Sequence, residues 1–399
     1  MRSSPVIILT SMYYKPHFGG IENSIFQLGK VAKKCGYRVI IVCSDAPMSG
    51  KVRLPKYEQS EAGEIFRFPH FSPQFFVLKL FSPIINTISA FRLARNLRKE
   101  LSKTVLVLTR HYITGVAFYL AKFKNIIYLV PGVVSTQDTL PLKDKGIDTK
   151  HRIKNFLLLR VVIPQNIFLQ RRLLRVTKRN FVFSTFMSNQ LKIFAGAKST
   201  KIMCGVDTNT FKPRCKTDVR KKLKLEQNSF YCLCLGRVTI HKGFKYAIEA
   251  LAFIPDMRVR LIIVGDGPEL STLEDLTNSL NLGSRVLFFE KTDTPELFFA
   301  ASDLFLMTSV FETFGQTILE GMASGLPVVA FDSTQVQTAT NEIISRNVNG
   351  FIVPFSSKEL AKAINFAFNE EKIVMTVSEN AINDVRIKYS WESLFEELK

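Results

Sequence analysis

Residues 303–332 read DLFLMTSVFETFGQTILEGMASGLPVVAFD, a strand, a loop, a helix and a second strand in one line. The runs DLFLMTS and PVVAFD have continuous apolar centres, LFLM and VVAF, as strands covered on both faces do. The first strand ends at about Ser309, which places Glu312 in the strand-to-helix loop. Gly315, Gln316 and Thr317 open the helix QTILEGMAS, and Glu320 follows about one turn in. Gly315 lets a ligand come close to the backbone. The free N–H groups of a helix start suit phosphate. Two carboxylates beside such an anion site suit hydroxyl groups, one on a sugar and one on a ribose. The spacing alone is weak, since paired glutamates are common on helix surfaces, and the GMASGLPVVA run that follows gives it weight.

The same alternation extends on both sides. After residue 212 come strand SFYCLCLGR, helix HKGFKYAIEALAFI, strand VRLIIVGDG, helix PELSTLEDLTNSLNL, strand RVLFFE and helix TPELFFAAS. Toward the N-terminus, PVIILTS, YRVIIVCSD, TVLVLTR and NIIYLVPG read as strands. IENSIFQLGKVAKKCG and TGVAFYLAKF read as helices, with Gly36 as a stop. The fold class is therefore α/β, with two doubly wound Rossmann-like domains of parallel sheet. The expected division is a first domain at 1–206, a second at 207–380 and a final helical segment at 381–399. CGVDTNTFKP serves as the hinge and YSWESLFEELK as the final amphipathic helix. Ligands of open α/β sheets lie outside the C-terminal strand ends, so a cleft between two such domains should hold the chemistry.

Three further strand ends carry candidate groups. Arg237 and Lys242 in LGRVTIHKGF are two cations after a strand, a planar fork and a point charge suited to a diphosphate. Solvated surface cations are the plain alternative. Gly19 and Gly20 in YYKPHFGGIE form a turn able to wrap a phosphate or sugar, or simply a common turn. IVGDGPE lacks the third glycine of a dinucleotide fingerprint, and Pro268 stands where the helix opens, which disfavours a nicotinamide enzyme.

Charge is uneven. The chain of 399 residues has 54 Lys+Arg against 34 Asp+Glu, and a composition of 46% hydrophobic and 22% charged residues that excludes a disordered or fibrous protein. Residues 1–206 hold 33 basic and 9 acidic side chains, and residues 207–399 hold 21 and 25. Two acid-free segments, 65–99 and 149–206, supply 6 and 12 of the cations. Among them are Arg67 and Lys79, and Arg171, Arg172 and Arg175. Such a field attracts a polyanion. Bulky Phe, Leu and Ile interleave with the cations, as in an interfacial membrane helix rather than a nucleic-acid arm. Core helices with a basic solvated face are the bland alternative. No apolar run reaches the roughly 18 residues that cross a bilayer, and the N-terminus reads as a first strand rather than a signal peptide. The six scattered cysteines read as reduced core residues, and a metal site is not expected.

Taken together, these motifs resemble the family 4 glycosyltransferases of the GT-B fold. The resemblance rests on Gly19–Gly20–Ile21–Glu22, the GVDTNTF linker, Arg237 with Lys242–Gly243, and Val264–Gly265–Asp266–Gly267–Pro268. It rests further on Glu312 to Glu320 and Gly325–Leu326–Pro327–Val328–Val329. It is close in the C-terminal half and loose in the N-terminal half. It implies a retaining hexosyl transfer from a nucleotide-sugar donor to an acceptor hydroxyl, without metal or cofactor, with the acceptor bound by 1–206, the nucleotide sugar by 207–380 and the helix of 381–399 returning to the first domain. Arg237 and Lys242 would hold the diphosphate, Glu312 the donor sugar and Glu320 the ribose, with amides of Gly315 to Thr317 supporting phosphate. The implied acceptor is a glycan or lipid-linked precursor at the inner face of a membrane, in a cytoplasmic peripheral protein that binds no nucleic acid. Three departures stand out. Pro131–Gly132 occupies the place of a His–Gly pair, and His111 is the acceptor-side candidate to replace it, or a plain surface histidine. Glu290–Lys291 replaces a glycine near the base-recognition turn, and TQVQTATNE retains only Glu342 of a Gly-Gly-x-x-Glu segment. A sugar-phosphate synthase or phosphorylase and a non-enzymatic polyanion-binding protein are the alternatives.

Overall fold

A computed structural model describes residues 4–17, 19–47, 52–101, 105–134 and 156–399. Of the basic segment 149–206, Lys150, Arg152 and Lys154 lie outside the described residues. The chain divides into two compact units, one of Met1–Ile202 with Leu394–Lys399 and one of Met203–Ser393. The first break falls four residues before the expected end at 206, ahead of the GVDTNTF segment. The second falls inside the final helix Trp391–Leu398, so only the last six residues join the first unit, rather than the expected 381–399. Packing explains this. A side chain at Gly205 would collide with the Trp391 ring, which holds both residues in the second unit, whereas Phe395 meets Tyr37 edge-on at 5.6 Å.

The first unit is an eight-stranded sheet. Its strands are β1 (Val6–Thr10), β2 (Arg38–Ser44), β3 (Tyr57–Ser60), β4 (Gly63–Phe68), β5 (Leu106–Thr109), β6 (Asn125–Leu129), β7 (Arg179–Val182) and β8 (Thr200–Lys201). They lie in the order β3-β4-β2-β1-β5-β6-β7-β8, parallel except for the β3–β4 hairpin. The hairpin is absent from the sequence reading because its outer strand is polar and exposed. Its inner strand corrects another expectation. Arg67, counted among the solvent-facing cations, is buried, pairs with Glu58 at 2.7 Å and donates to the carbonyls of Pro55 and Lys15. The core closes over the sheet with Ile8, Ile40, Val107 and Tyr128 against Ala90, Ala94, Phe118 and Leu173. Ala90 and Ala94 are small enough for the helix Ser82–Glu100 to lie close on the strands.

The second unit is a parallel sheet of β9 (Phe230–Leu235), β10 (Val259–Val264), β11 (Val286–Phe289), β12 (Leu304–Met307), β14 (Val328–Phe331) and β16 (Phe351–Val353), in the order β11-β10-β9-β12-β14-β16. A separate pair, β13 (Phe311–Glu312) with β15 (Gln337–Thr338), lies beside it in sequence. Cys232 and Cys234 are both buried in this core, with Ile248, Leu251 and Leu306. The expected helix from His241 begins later. Ile240–Lys242 is a single tight turn, Gly243 is left-handed, and the helix runs Phe244–Ala252. Among the described residues, no helix is long and apolar enough to cross a membrane.

Candidate active site

The second sheet has the order in which strand sequence reverses between its first and fourth strands, β9 and β12. Two neighbouring strands whose following helices leave in opposite directions open a crevice at their C-terminal ends, where such sheets bind ligands. The loop after β9 carries Arg237 and Lys242, and the loop after β12 carries Glu312 and Gly315. Both fall at this switch point. The loops are stitched together: Thr308 Oγ1 donates to the Lys242 carbonyl at 2.9 Å, and Val310 N–H to the His241 carbonyl at 2.9 Å.

That stitching joins Lys242 to Glu312. The Lys242 ammonium donates to Glu312 Oε2 at 2.5 Å, across a separation of 70 residues. Each side chain keeps about one-fifth of its surface, 21% and 19%, so the pair faces a solvent-reachable space. Arg237 is exposed and forms no ion pair among the described residues. The helix Gln316–Ala323 starts next to them. Its cap Gly315 has φ 99°, a left-handed value open to glycine, and no side chain caps the first N–H groups. Gln316 Nε2 is buried without a hydrogen-bond partner among the described residues. Free backbone donors and an unsatisfied amide follow β12, and a free guanidinium follows its neighbour β9, an arrangement suited to an anion.

Glu320 lies one turn further along. Surrounding protein desolvates its carboxyl and pushes it up to about 8, while the Lys242 ammonium pulls it part of the way back. At neutral pH the group therefore holds its proton, and a protonated carboxyl can donate a hydrogen bond as well as accept one.

The glycines of IVGDGPE have a structural cause. Gly236 N–H donates to the Val264 carbonyl, and Val238 N–H to that of Asp266, so the loops after β9 and β10 run in contact. A β-carbon on Gly265, at φ +149°, would collide with the Gly236 carbonyl oxygen. Gly265→Ala is therefore expected to cost about 3 kcal/mol or more, from positive-φ strain and overpacking together. Chemical denaturation checks this, and an unchanged midpoint would show that the loops separate freely.

The first unit has its own reversal between β1 and β5. The loop after β1 carries Gly19 and Gly20, and the loop after β5 carries Arg110 and His111. Gly20 is the first residue of the helix Gly20–Lys34, and Gly19 is extended at φ 176°. His111 is not a plain surface histidine. Its Nδ1 accepts from Ile113 N–H at 3.2 Å, capping the helix Tyr112–Leu120, and its ring stacks on Tyr112 at 4.3 Å. Burial lowers it to about 4, so it is neutral at physiological pH.

Two features escaped the sequence reading. One is the β13–β15 pair, which sets Glu312 opposite Thr338 and so brings the segment after β14 alongside the site. Strands of two residues leave no periodic signal. The other is Gln170, buried inside the basic, apolar-rich helix Ile163–Val176. It donates to the Gly132 carbonyl at 2.7 Å and to Tyr128 at 3.1 Å, and accepts from Val134 N–H at 3.0 Å. It thereby fixes the Pro131–Gly132 loop. Its signal was a polar residue on the helix face that carries Leu169, Leu173 and Leu174.

Residues 216–384, which include every second-unit candidate named above, match the family described as glycosyl transferases group 1. An uncharacterized glycosyltransferase of Methanocaldococcus jannaschii is 31% identical over 186 residues, 46% of this chain and 47% of that protein. A lipopolysaccharide core biosynthesis glycosyltransferase of Rhizobium meliloti is 31% identical over 176 residues, 44% and 50% of the two chains. The chain thus spans about half the length of the curated relatives it matches. In overall fold it is similar to sucrose-phosphate synthase from Thermosynechococcus elongatus, with a TM-score of 0.78 at 19% identity over 99% and 97% of the chains. It is also similar to an Anabaena protein solved in complex with UDP and glucose, with a TM-score of 0.74 at 21% identity over 98% and 97%. Residues 216–384 are thus similar to the glycosyl transferases group 1, within an α/β architecture of GT-B type.

Proposed function

We propose that this protein transfers a sugar, with retention of anomeric configuration, from a nucleotide-sugar donor to an acceptor hydroxyl. The observation that carries the reading is the Lys242–Glu312 pair at the switch point, beside free Arg237 and the uncapped helix start at Gly315. Arg237 and Lys242 take the donor diphosphate, and their charge stabilises the negative charge that grows on it as the glycosidic bond breaks. Glu312, released from Lys242, accepts from donor-sugar hydroxyls. Glu320 meets the ribose, and the Gly315 to Thr317 amides support phosphate. Within the first unit, Gly19, Gly20 and His111 are assigned to sugar or acceptor binding. The chemistry needs no metal or cofactor.

The acceptor in this reading is a glycan or lipid-linked precursor at a membrane surface, where the protein is peripheral on the cytoplasmic side. Support comes from relatives named for lipopolysaccharide core and O-antigen biosynthesis and from an alpha-monoglucosyldiacylglycerol synthase of Streptococcus pneumoniae. The test is thermal shift with a panel of nucleotide sugars, followed by NMR of the product anomer. A ligand at about 100 times its Kd adds about 2.7 kcal/mol, a rise of several degrees, and one base is expected to stand out. If no nucleotide shifts the transition, the donor assignment fails. An inverted product would overturn retention alone.

A further inference from the structure

The exposed face of the helix Ile163–Val176 is built unlike that of an ordinary surface helix. Phe168, Arg171, Arg172 and Arg175 project outward at helical spacing, while Leu169, Gln170, Leu173 and Leu174 are buried. Phe168 is 68% exposed. With Pro164 and Ile167, these side chains line a groove of about 410 Å³. Two of the guanidinium groups are held on aromatic faces rather than by carboxylates. Arg171 lies over Phe194 and donates to its carbonyl at 3.0 Å, and Arg172 lies over Tyr119. Among the described residues none of the three arginines has an acidic partner.

A second element continues this face. Gln165 Nε2 donates to the Leu80 carbonyl at 2.9 Å, tying the helix to the segment that leads into Ser82–Glu100. There Phe75, Val77, Phe81 and Ile84 are 76%, 64%, 50% and 47% exposed. Large apolar side chains at this density are costly in water and signify a partner. The charge around them selects it. Residues 65–99 and 156–206 contain no Asp or Glu, so the partner is anionic. A second copy of the chain would set like charges against each other. Nucleic acid would satisfy the arginines and leave the phenylalanines in water.

We propose that this face, formed by 75–88 and 156–175, docks the first unit on an anionic phospholipid bilayer. Phe75, Phe81 and Phe168 enter the headgroup–acyl boundary, while Lys79, Arg160, Arg171, Arg172 and Arg175 meet lipid phosphates. The inner face of the same helix carries Gln170, which holds the loop after β6, so docking would set the bilayer beside one of the unit's strand-end loops. The proposal names the membrane contact that the acceptor reading calls for, and it can be measured without donor or turnover.

The experiment is co-sedimentation of the full chain with phosphatidylcholine vesicles, with and without phosphatidylglycerol. Binding should require phosphatidylglycerol and weaken with salt. The triple variant Arg171→Glu, Arg172→Glu, Arg175→Glu should lose about tenfold or more, since each cation near such a surface contributes roughly fivefold. Phe75→Ser with Phe168→Ser should weaken binding at high salt too. All five positions are exposed, and nucleotide-induced thermal shift, read at the other unit, checks folding. Equal binding to neutral vesicles, or variants indistinguishable from wild type, overturns the proposal. Tighter binding to duplex DNA than to vesicles, or loss of a dimer in the same variants, also overturns it in favour of another occupant. Vesicle binding with no response to any nucleotide would leave this proposal standing and sink the sugar-transfer reading.

Discussion

Lys242→Ala is expected to lower turnover by about 10²–10³, the loss typical when one donor to developing negative charge is removed. The ammonium is already held at 2.5 Å on Glu312 and is fixed from behind by the Thr308 bond to its own carbonyl. The charge is therefore preorganised, and a donor diphosphate replaces one anionic partner by another. Because the charge on the leaving diphosphate grows toward the transition state, the loss should fall mainly on kcat. Arg237→Ala, at an exposed position, should raise KM as well. Glu312→Ala should lower turnover while leaving nucleoside diphosphate binding largely intact, because it is assigned to the sugar. Circular dichroism confirms folding in each case. Lys242→Ala and Glu312→Ala enzymes with full activity would remove the site assignment, whatever the fold.

Glu320→Gln is expected to stabilise the protein in alkaline solution and to leave it unchanged in acid. The folded carboxyl keeps its proton up to about 8, while in the unfolded chain it ionises near the ordinary 4.5. Between these values the folded state binds more protons, so stability falls as pH rises. A neutral amide of the same shape escapes that loss. The gain should be absent near pH 4, grow through pH 7 and level off above about 8. Its size is on the order of 2 kcal/mol, or about 5 °C for a unit of this length. Attraction to Lys242 and the side chain's partial exposure keep it modest. Donor binding should weaken in the same variant, the usual trade where a group is kept for function in a place that disfavours it. Thermal unfolding across pH measures this. Curves that run parallel over the whole range would show that Glu320 is ionised throughout.

How much of this was legible in the sequence depends on how far each feature reaches. IVGDGPE was readable as a turn opening a helix because its glycines follow an apolar strand directly. The reason for those glycines, a backbone carbonyl of the neighbouring loop, was not readable. Arg67 illustrates the opposite error. Between apolar neighbours it counts as surface charge in any composition, yet it is buried against Glu58 and two carbonyls once the hairpin folds over it. His111 stood at a strand end, as read, but the bond from Ile113 that makes it a neutral cap is a matter of three-dimensional direction. The TQVQTATNE segment looked merely divergent, and its pairing with Glu312 is what brings it to the site.

By itself the sequence determined the alternation of strands and helices, the loops that carry Arg237, Lys242, Glu312 and Gly315, and the two basic apolar segments. Those are properties of neighbours along the chain, set by the period of apolar residues and the backbone freedom of glycine. The tertiary structure alone decided that Lys242 meets Glu312, that Glu320 keeps its proton, that Gln170 holds the Pro131–Gly132 loop, and that Gln165 is tied to the Leu80 carbonyl. Each depends on distance and local dielectric between residues remote in sequence, and those follow from strand order, which no local pattern specifies.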